Sequence, residues 1–124
     1  LIGAIAVPIS YYCIHLVHRR GLDETLDVWG CHGMAGAWGA LATGIFATTT
    51  VNGGGADGLL YGNFTQLGIQ LLTVVVAAGY AFGLTFGIAK VLDAVIGLSV
   101  SEEEEQMGLD MSEHGERAYA LEFE

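Results

Sequence analysis

The stretch LDVWGCHGMAGAWGALATGIF, from Leu26 to Phe46, decides how this chain folds. It is apolar and rich in small residues, and no Asp, Glu, Lys or Arg occurs between Val28 and Ala56. A helix of about 20 apolar residues spans the hydrocarbon core of a bilayer. The sequence therefore predicts a transmembrane helix here.

His32 is the only basic side chain of this stretch. Because residues four apart share one face of an α-helix, His32 is predicted to begin a row of small residues. That row continues through Gly36, Ala40 and Gly44, and Gly33 lies beside it. Small residues let helix backbones approach closely in a membrane, so we expect the imidazole on a packing face. An ionisable group in that place indicates a functional site, and a structural histidine bonded to a backbone carbonyl is the alternative.

The composition of the whole chain also indicates a membrane protein. Of its 124 residues, 52% are hydrophobic and 15% are charged, and the mean hydropathy is +0.51. That is more apolar than an ordinary soluble domain. The net charge of −10 is local, because nine of the fourteen acidic residues follow Val100. This asymmetry predicts a membrane body with an acidic tail, and it argues against a nucleic-acid partner, which would require basic patches.

The apolar segments predict an all-α fold, a polytopic transmembrane bundle of three helices at about 1–19, 23–50 and 63–96. Residues 1–97 are predicted to form the transmembrane part, and residues 98–124 the acidic tail. In the third helix, glycines repeat every four residues and predict a second packing row, formed by Gly79, Gly83 and Gly87.

Local signals set the predicted ends of the helices. Asp23, Glu24 and Asp27 predict the first turn of the second helix, since acidic side chains suit the positive end of the helix dipole. The glycine-rich segment 51–63 predicts a flexible loop. Pro8 predicts a kink in the first helix, because proline removes a helical hydrogen bond.

Arginines give the expected orientation in the cell membrane. Arg19 and Arg20 end the first helix, and positive charges at such ends favour the cytoplasmic side. By alternation the loop at 51–63 faces outward and the C-terminus is cytoplasmic. We expect His15 and His18 to lie at the membrane interface.

No sequence pattern indicates an enzyme or a cofactor. There is no P-loop, no Ser/His/Asp set and no pair of catalytic carboxylates. Cys13 and Cys31 lie in apolar surroundings, so we expect buried free thiols. A metal site built from these cysteines with His15 and His32 would lack zinc-type spacing, and none is predicted.

The acidic tail has two interpretations. Its composition is typical of a solvated, disordered segment. The four glutamates that follow Ser101 instead predict a short helix, which Gly108 and Gly115 would interrupt.

The stretch LDETLDVWGCHGMAGAWGALATGIF resembles the signature of the ammonium transporter family, the Amt/Mep/Rhesus group. That signature is D-D-x-x-D-V-F-x-x-H-G-x-x-G followed by a glycine-rich helix, with Glu24 here in place of an Asp and Trp29 in place of a Phe. The tail, GLSVSEEEEQMGLDMSEHGERAYA, resembles the cytoplasmic C-terminus of the same family. Ser99 stands where that family commonly has Arg.

The resemblance implies the last three transmembrane helices of a homotrimer in which each subunit has a narrow pore. It makes His32 the second of two pore histidines, the first of which would lie on a helix outside this chain. It also implies ammonium or ammonia as substrate and surrounding membrane lipid, and it makes a PII-type regulatory protein a possible partner. The residues it assigns to the inner mouth or to tail docking are Asp27, Gly108, Asp110, His114, Glu116 and Tyr119. Asp27 could instead cap the second helix.

A histidine suits such a pore for a physical reason. Stripping water from an ammonium ion in an apolar pore is far less favourable than stripping it from neutral ammonia. A neutral imidazole offers one donor and one acceptor nitrogen to a small guest. The sequence therefore predicts a channel or transporter for ammonium. An ammonium sensor built on the same pore and a structural fragment without activity are the alternatives.

Overall fold

A computed structural model describes residues 1–118 of the chain. Every regular element in that range is helical, and no β-strand occurs in it, which confirms the all-α class for this part of the chain. The three longer α-helices are α1 (Ile2–Arg19), α2 (Ala35–Phe46) and α3 (Phe64–Ile96). The tail carries α4 (Glu102–Met107) and α5 (Leu109–His114).

Two short helical segments complete the architecture. A π-helical turn, Trp29–Met34, leads directly into α2, and a 3-10 helix, Leu59–Tyr61, precedes α3. The chain divides into two compact units, Leu1–Tyr80 and Ala81–Glu124. The predicted first and third helices lie within one residue of α1 and α3.

The second helix is shorter at both ends than the predicted 23–50. Its helical turns begin only at the π-helical turn and end at Phe46, after which Ala47 turns to extended backbone with ψ 143°. The acidic residues expected in its first turn lie in the preceding connection. Glu24 lies before the helix, and its Oε1 accepts a hydrogen bond from the Trp29 backbone N–H.

α1 and α2 are tied together at the first turn of α1. The Trp38 indole Nε1 donates to the backbone carbonyl oxygen of Ile2 at 2.9 Å. α2 also approaches α3 closely, because a Cβ added at the buried Gly44 would lie 3.0 Å from Leu67 Cα. The backbone of α2 at Gly44 therefore lies against α3, while the packing role predicted for Gly44 stays a prediction.

The loop that follows α2 is held at both ends. The Thr49 backbone N–H and hydroxyl donate to Asp57 Oδ1 at 2.6 and 3.1 Å. The Thr49 backbone N–H also holds the pKa of the Asp57 carboxyl below its ordinary value. The Gly58 N–H donates to the Ala47 carbonyl oxygen at 2.8 Å. The flexibility predicted for 51–63 is thus limited by bonds at its margins.

α3 begins one residue after the predicted position, and Asn63 Oδ1 accepts the Gln66 backbone N–H at 3.2 Å. Among the residues described, it is the one helix long and apolar enough by itself to cross a membrane. Its large apolar side chains are exposed, for example Val75 at 61% and Phe82 at 72%. A Cβ added at any glycine of the predicted row would meet nothing within 4 Å, so packing by Gly79, Gly83 and Gly87 stays a prediction.

Gly58 allows the loop to lie on the last turn of α2. A Cβ at this position would lie 2.7 Å from the carbonyl oxygens of Gly44 and Ile45, which are backbone atoms that cannot rotate away. We expect Gly58→Ala to destabilise the protein by about 1–3 kcal/mol, as overpacking does. Thermal unfolding of the full-length protein in detergent measures this.

Gly53→Ala is the matched control in the same loop, because a Cβ there meets nothing within 4 Å. Equal unfolding midpoints for the two alanine variants would contradict the prediction.

Candidate functional site

His32 lies in the π-helical turn and not in regular α-helix. A π-helix closes its hydrogen bonds five residues apart, and such turns are frequent at functional sites. Within the described part of the chain the His32 side chain is exposed. The site therefore consists of an imidazole presented by a distorted helical turn at the entrance to α2.

The π-helical turn changes the predicted row of small residues. The prediction assumed α-helical spacing from His32 onward, and this is wrong for the part of the row that lies in the turn. Further along, burial increases: Gly36 is exposed, Ala40 is half-buried and Gly44 is buried. Gly33 contacts Trp29, whose Cδ1 would lie 3.4 Å from an added Cβ. Packing by Gly36 and Ala40 stays a prediction.

Gly30 is a site residue that the sequence analysis missed. It is buried, and a Cβ added to it would lie 2.6 Å from Ile14 Cγ1 and 3.2 Å from the Ile14 nitrogen and the Ser10 carbonyl oxygen. The π-helical turn thus rests on the backbone of α1. The sequence offered a weak signal, a further glycine two residues before His32, but nothing in it identified α1 as the neighbour.

Asp27 connects the start of the π-helical turn to the end of α1. Its Oδ1 lies 2.8 Å from His18 Nε2. This oxygen is enclosed and accepts no hydrogen bond of regular geometry from residues 1–118, so the two side chains meet at ion-pair distance. Asp27 also has a positive φ of 53°, a backbone conformation that Asp tolerates better than most residues.

The side-chain capping alternative for Asp27 is wrong. Val28 stands at the N-cap of the π-helical turn, where no side-chain cap hydrogen bond forms, and it is Glu24 that accepts the Trp29 N–H. The expectation that His18 simply lies at the membrane interface is incomplete, because His18 faces Asp27. His15 instead packs edge-on against Tyr11, with ring centroids 4.2 Å apart.

The two thiols differ in exposure. Both are free, with Cys13 half-buried and Cys31 exposed, so the prediction of two buried thiols is wrong for Cys31. In the described range no group of three or more His, Cys, Asp or Glu side chains is arranged to hold a metal ion.

The tail forms the helices α4 and α5, in agreement with the helical one of its two interpretations. Ser101 and Glu104 form a reciprocal capping box at the start of α4. Gly108 and Gly115 end α4 and α5 with positive φ values of 92° and 68°, which glycine adopts without strain. His114 and Glu116 are exposed, and Tyr119 lies outside the described residues.

Asp110 holds the end of the described tail together. Its Oδ1 accepts the Met111 N–H and its Oδ2 accepts the Ala118 N–H, both at 2.9 Å. The pKa of Asp110 lies below its ordinary value. The Ala118 N–H lowers it most, and the Met111 N–H and the positive charge of Arg117 lower it further. The backbone N–H of Ser101 does the same for the pKa of Glu104.

Residues 1–119 match the sequence model of the Ammonium Transporter Family. The chain is 50% identical over 121 residues to an ammonium transporter of Aquifex aeolicus, covering 97% of this chain and 28% of that protein. It is 44% identical over 119 residues to Ammonium transporter Amt1 of Archaeoglobus fulgidus, and 40% identical over 120 residues to an ammonium transporter of Bacillus subtilis. Each of these two matches covers 96% of this chain and 30% of the relative.

The Asp110 contacts predict a tail that loosens in acid. Because the folded pKa of Asp110 is lowered, its stabilising effect is complete above the ordinary carboxyl pKa and is lost as the pH falls through the lower, folded value. We expect Asp110→Asn to reproduce the acid form at neutral pH and to speed hydrogen–deuterium exchange at the Ala118 amide.

Glu113→Gln removes the same charge from the exposed surface of α5 and serves as the control. If both variants leave exchange at Ala118 unchanged, the carboxylate does not hold this turn.

Proposed function

Because the chain belongs to the ammonium transporter family, we propose that the protein it represents carries ammonium across the cell membrane. The chain spans about 30% of the length of the curated relatives it matches, so this proposal concerns the whole protein. The observation that carries it is His32, a single imidazole in an apolar, glycine-rich stretch within a family of ammonium transporters.

We propose that the transported species inside the pore is ammonia. Moving an isolated charge from water into an apolar passage is far less favourable than moving a neutral molecule. Ammonium would release a proton before entry, and neutral ammonia would pass with its own donors and lone pair partnered by polar groups of the pore. The proton and the ammonia would then leave separately, and the net reaction conserves both.

His32 would supply polar contact in that passage. Its neutral ring carries one N–H donor and one bare nitrogen acceptor, which match the acceptor and donors of ammonia. A second histidine, on a helix outside this chain, would hydrogen-bond to His32 and fix which ring nitrogen carries the proton. The exposure of His32 within residues 1–118 is compatible with this pairing, because a ring already covered by α1 or α3 could not meet a further helix.

The surroundings of His32 support a membrane location with several crossings. α1 and the continuous segment of π-helical turn and α2 are both apolar, and α3 is long enough to span a bilayer. The exposed apolar side chains of α3 would face lipid or the remaining helices of a homotrimer. The arginines at the end of α1 would place that end, and with it the tail, in the cytoplasm.

We further propose that the tail regulates transport from the cytoplasmic side. α4 and α5 are ordered by the capping box and by Asp110, and they present exposed polar side chains such as His114 and Glu116. The tail would dock on the cytoplasmic loops, with Asp27 as one candidate contact. A PII-type protein would bind the same face. Tyr119 remains assigned to docking by resemblance.

His32→Ala tests the pore assignment. A lost polar contact in a water-poor site costs about 1–3 kcal/mol, so we expect selective uptake of methylammonium to fall by about tenfold or more, with oligomeric assembly unchanged. The measurement is radiolabelled methylammonium uptake into proteoliposomes that hold the full-length protein. His15→Ala is the control, since His15 packs on Tyr11 outside the π-helical turn. Unchanged uptake and selectivity in His32→Ala would remove His32 from this role.

Deletion of residues 97–124 tests the tail. We expect lower transport or loss of its regulation by nitrogen status, because the docked tail would hold the cytoplasmic loops in their active arrangement. Uptake in whole cells before and after an ammonium pulse measures both. A truncated protein that is fully active and normally regulated would refute docking.

A further inference from the structure

We propose that Gly30 is a positioning residue for His32. Because Gly30 has no side chain, the π-helical turn rests directly on the backbone of α1, and this contact sets the direction in which the imidazole leaves the helix. The consequence for transport rests on the proposed function, whereas the orientation of His32 rests on geometry alone.

The contact at Gly30 leaves no room for a side chain. Carbon atoms in ordinary contact lie about 3.5–4.0 Å apart. An added Cβ would lie 2.6 Å from Ile14 Cγ1, so this side chain or the π-helical turn would have to move to accommodate it. The Ile14 nitrogen and the Ser10 carbonyl oxygen, each at 3.2 Å, are backbone atoms and cannot rotate out of the way.

The π-helical turn is fixed on both sides of this contact. Before it, Glu24 holds the Trp29 N–H and Asp27 pairs with His18 of α1. After it, Trp38 bonds to the first turn of α1. A displacement at Gly30 therefore cannot be absorbed by the neighbouring chain, and it reaches His32, two residues along in the same turn.

Gly44 provides a contact of the same kind at a different place. A Cβ there would lie 3.0 Å from Leu67 Cα, but Gly44 is near the far end of α2 and touches α3. Gly44→Ala should therefore destabilise the protein without reorienting His32. This separates positioning at Gly30 from packing in general.

The first measurement is the rate at which diethyl pyrocarbonate modifies His32 in the full-length protein. Peptide mass spectrometry follows His32 against the exposed His114 of α5, which serves as an internal reference. We expect Gly30→Ala to change this relative rate at least threefold and Gly44→Ala to leave it unchanged. Equal relative rates in Gly30→Ala and the unmodified protein would overturn the proposal.

The neighbouring side chain supplies a rescue experiment. Ile14→Ala removes the atom nearest to the added Cβ and, alone, loosens the contact from the α1 side. Combined with Gly30→Ala it lets the new methyl group fill the vacated space. We expect each single variant to change the modification rate of His32, and the double variant to return this rate towards that of the unmodified protein. If the effects of the two single variants simply add in the double variant, the coupling is refuted. Should Gly30→Ala fail to assemble, Ile14→Ala decides: an unchanged His32 rate there overturns the proposal.

Transport provides the second measurement. A misplacement of about 1 Å reduces reaction rates up to about 100-fold in enzymes, and we expect Gly30→Ala to lower selective methylammonium uptake by about tenfold, with recovery in the double variant. If the unmodified full-length protein carries no ammonium, the proposed function fails while the modification rates still test Gly30. If it carries ammonium and the variants leave the His32 rates unchanged, only the positioning role fails.

Discussion

The contact between two backbones at Gly30 is the constraint on which the rest of the site depends. A π-helical turn closes its hydrogen bonds over five residues and departs from the regular α-helix. α1 is the neighbour of this turn, because Ser10 and Ile14 present backbone atoms directly to Gly30. Any side chain at this position would move the turn that carries His32. The chemistry proposed for the pore thus depends on the absence of a single methyl group.

Acidic side chains stabilise the connections of this fold by accepting backbone N–H groups. Glu24 does so for Trp29, Asp57 for Thr49, Glu104 for Ser101 and Asp110 for Ala118. The first N–H groups of a helix and those of a tight turn have no partner within the element. In a chain this rich in apolar residues, a carboxylate at each connection supplies the missing acceptor. Within residues 98–118 most of the tail's acidic side chains are exposed.

The apolar surface of α3 and the exposure of His32 have one explanation in common. Large side chains such as Phe82 and Val75 stand exposed along a helix that is long enough to cross a bilayer. The curated relatives are more than three times longer than their matched region. Under the proposed function, further helices would cover these surfaces, and the site at His32 would form one wall of a pore.

The sequence by itself determined α1, α3 and the capped start of the tail, because apolar length and capping side chains are local signals. It also indicated the family, through motifs around His32 and in the tail. It misplaced the second helix by extending it to 23–50, since acidic residues before a helix resemble those in its first turn. Only the tertiary structure decided the π-helical turn, the Gly30 contact and the pairing of His18 with Asp27. Each of these depends on atoms of α1 that lie many residues away, and no local pattern specifies which residues of two helices will meet.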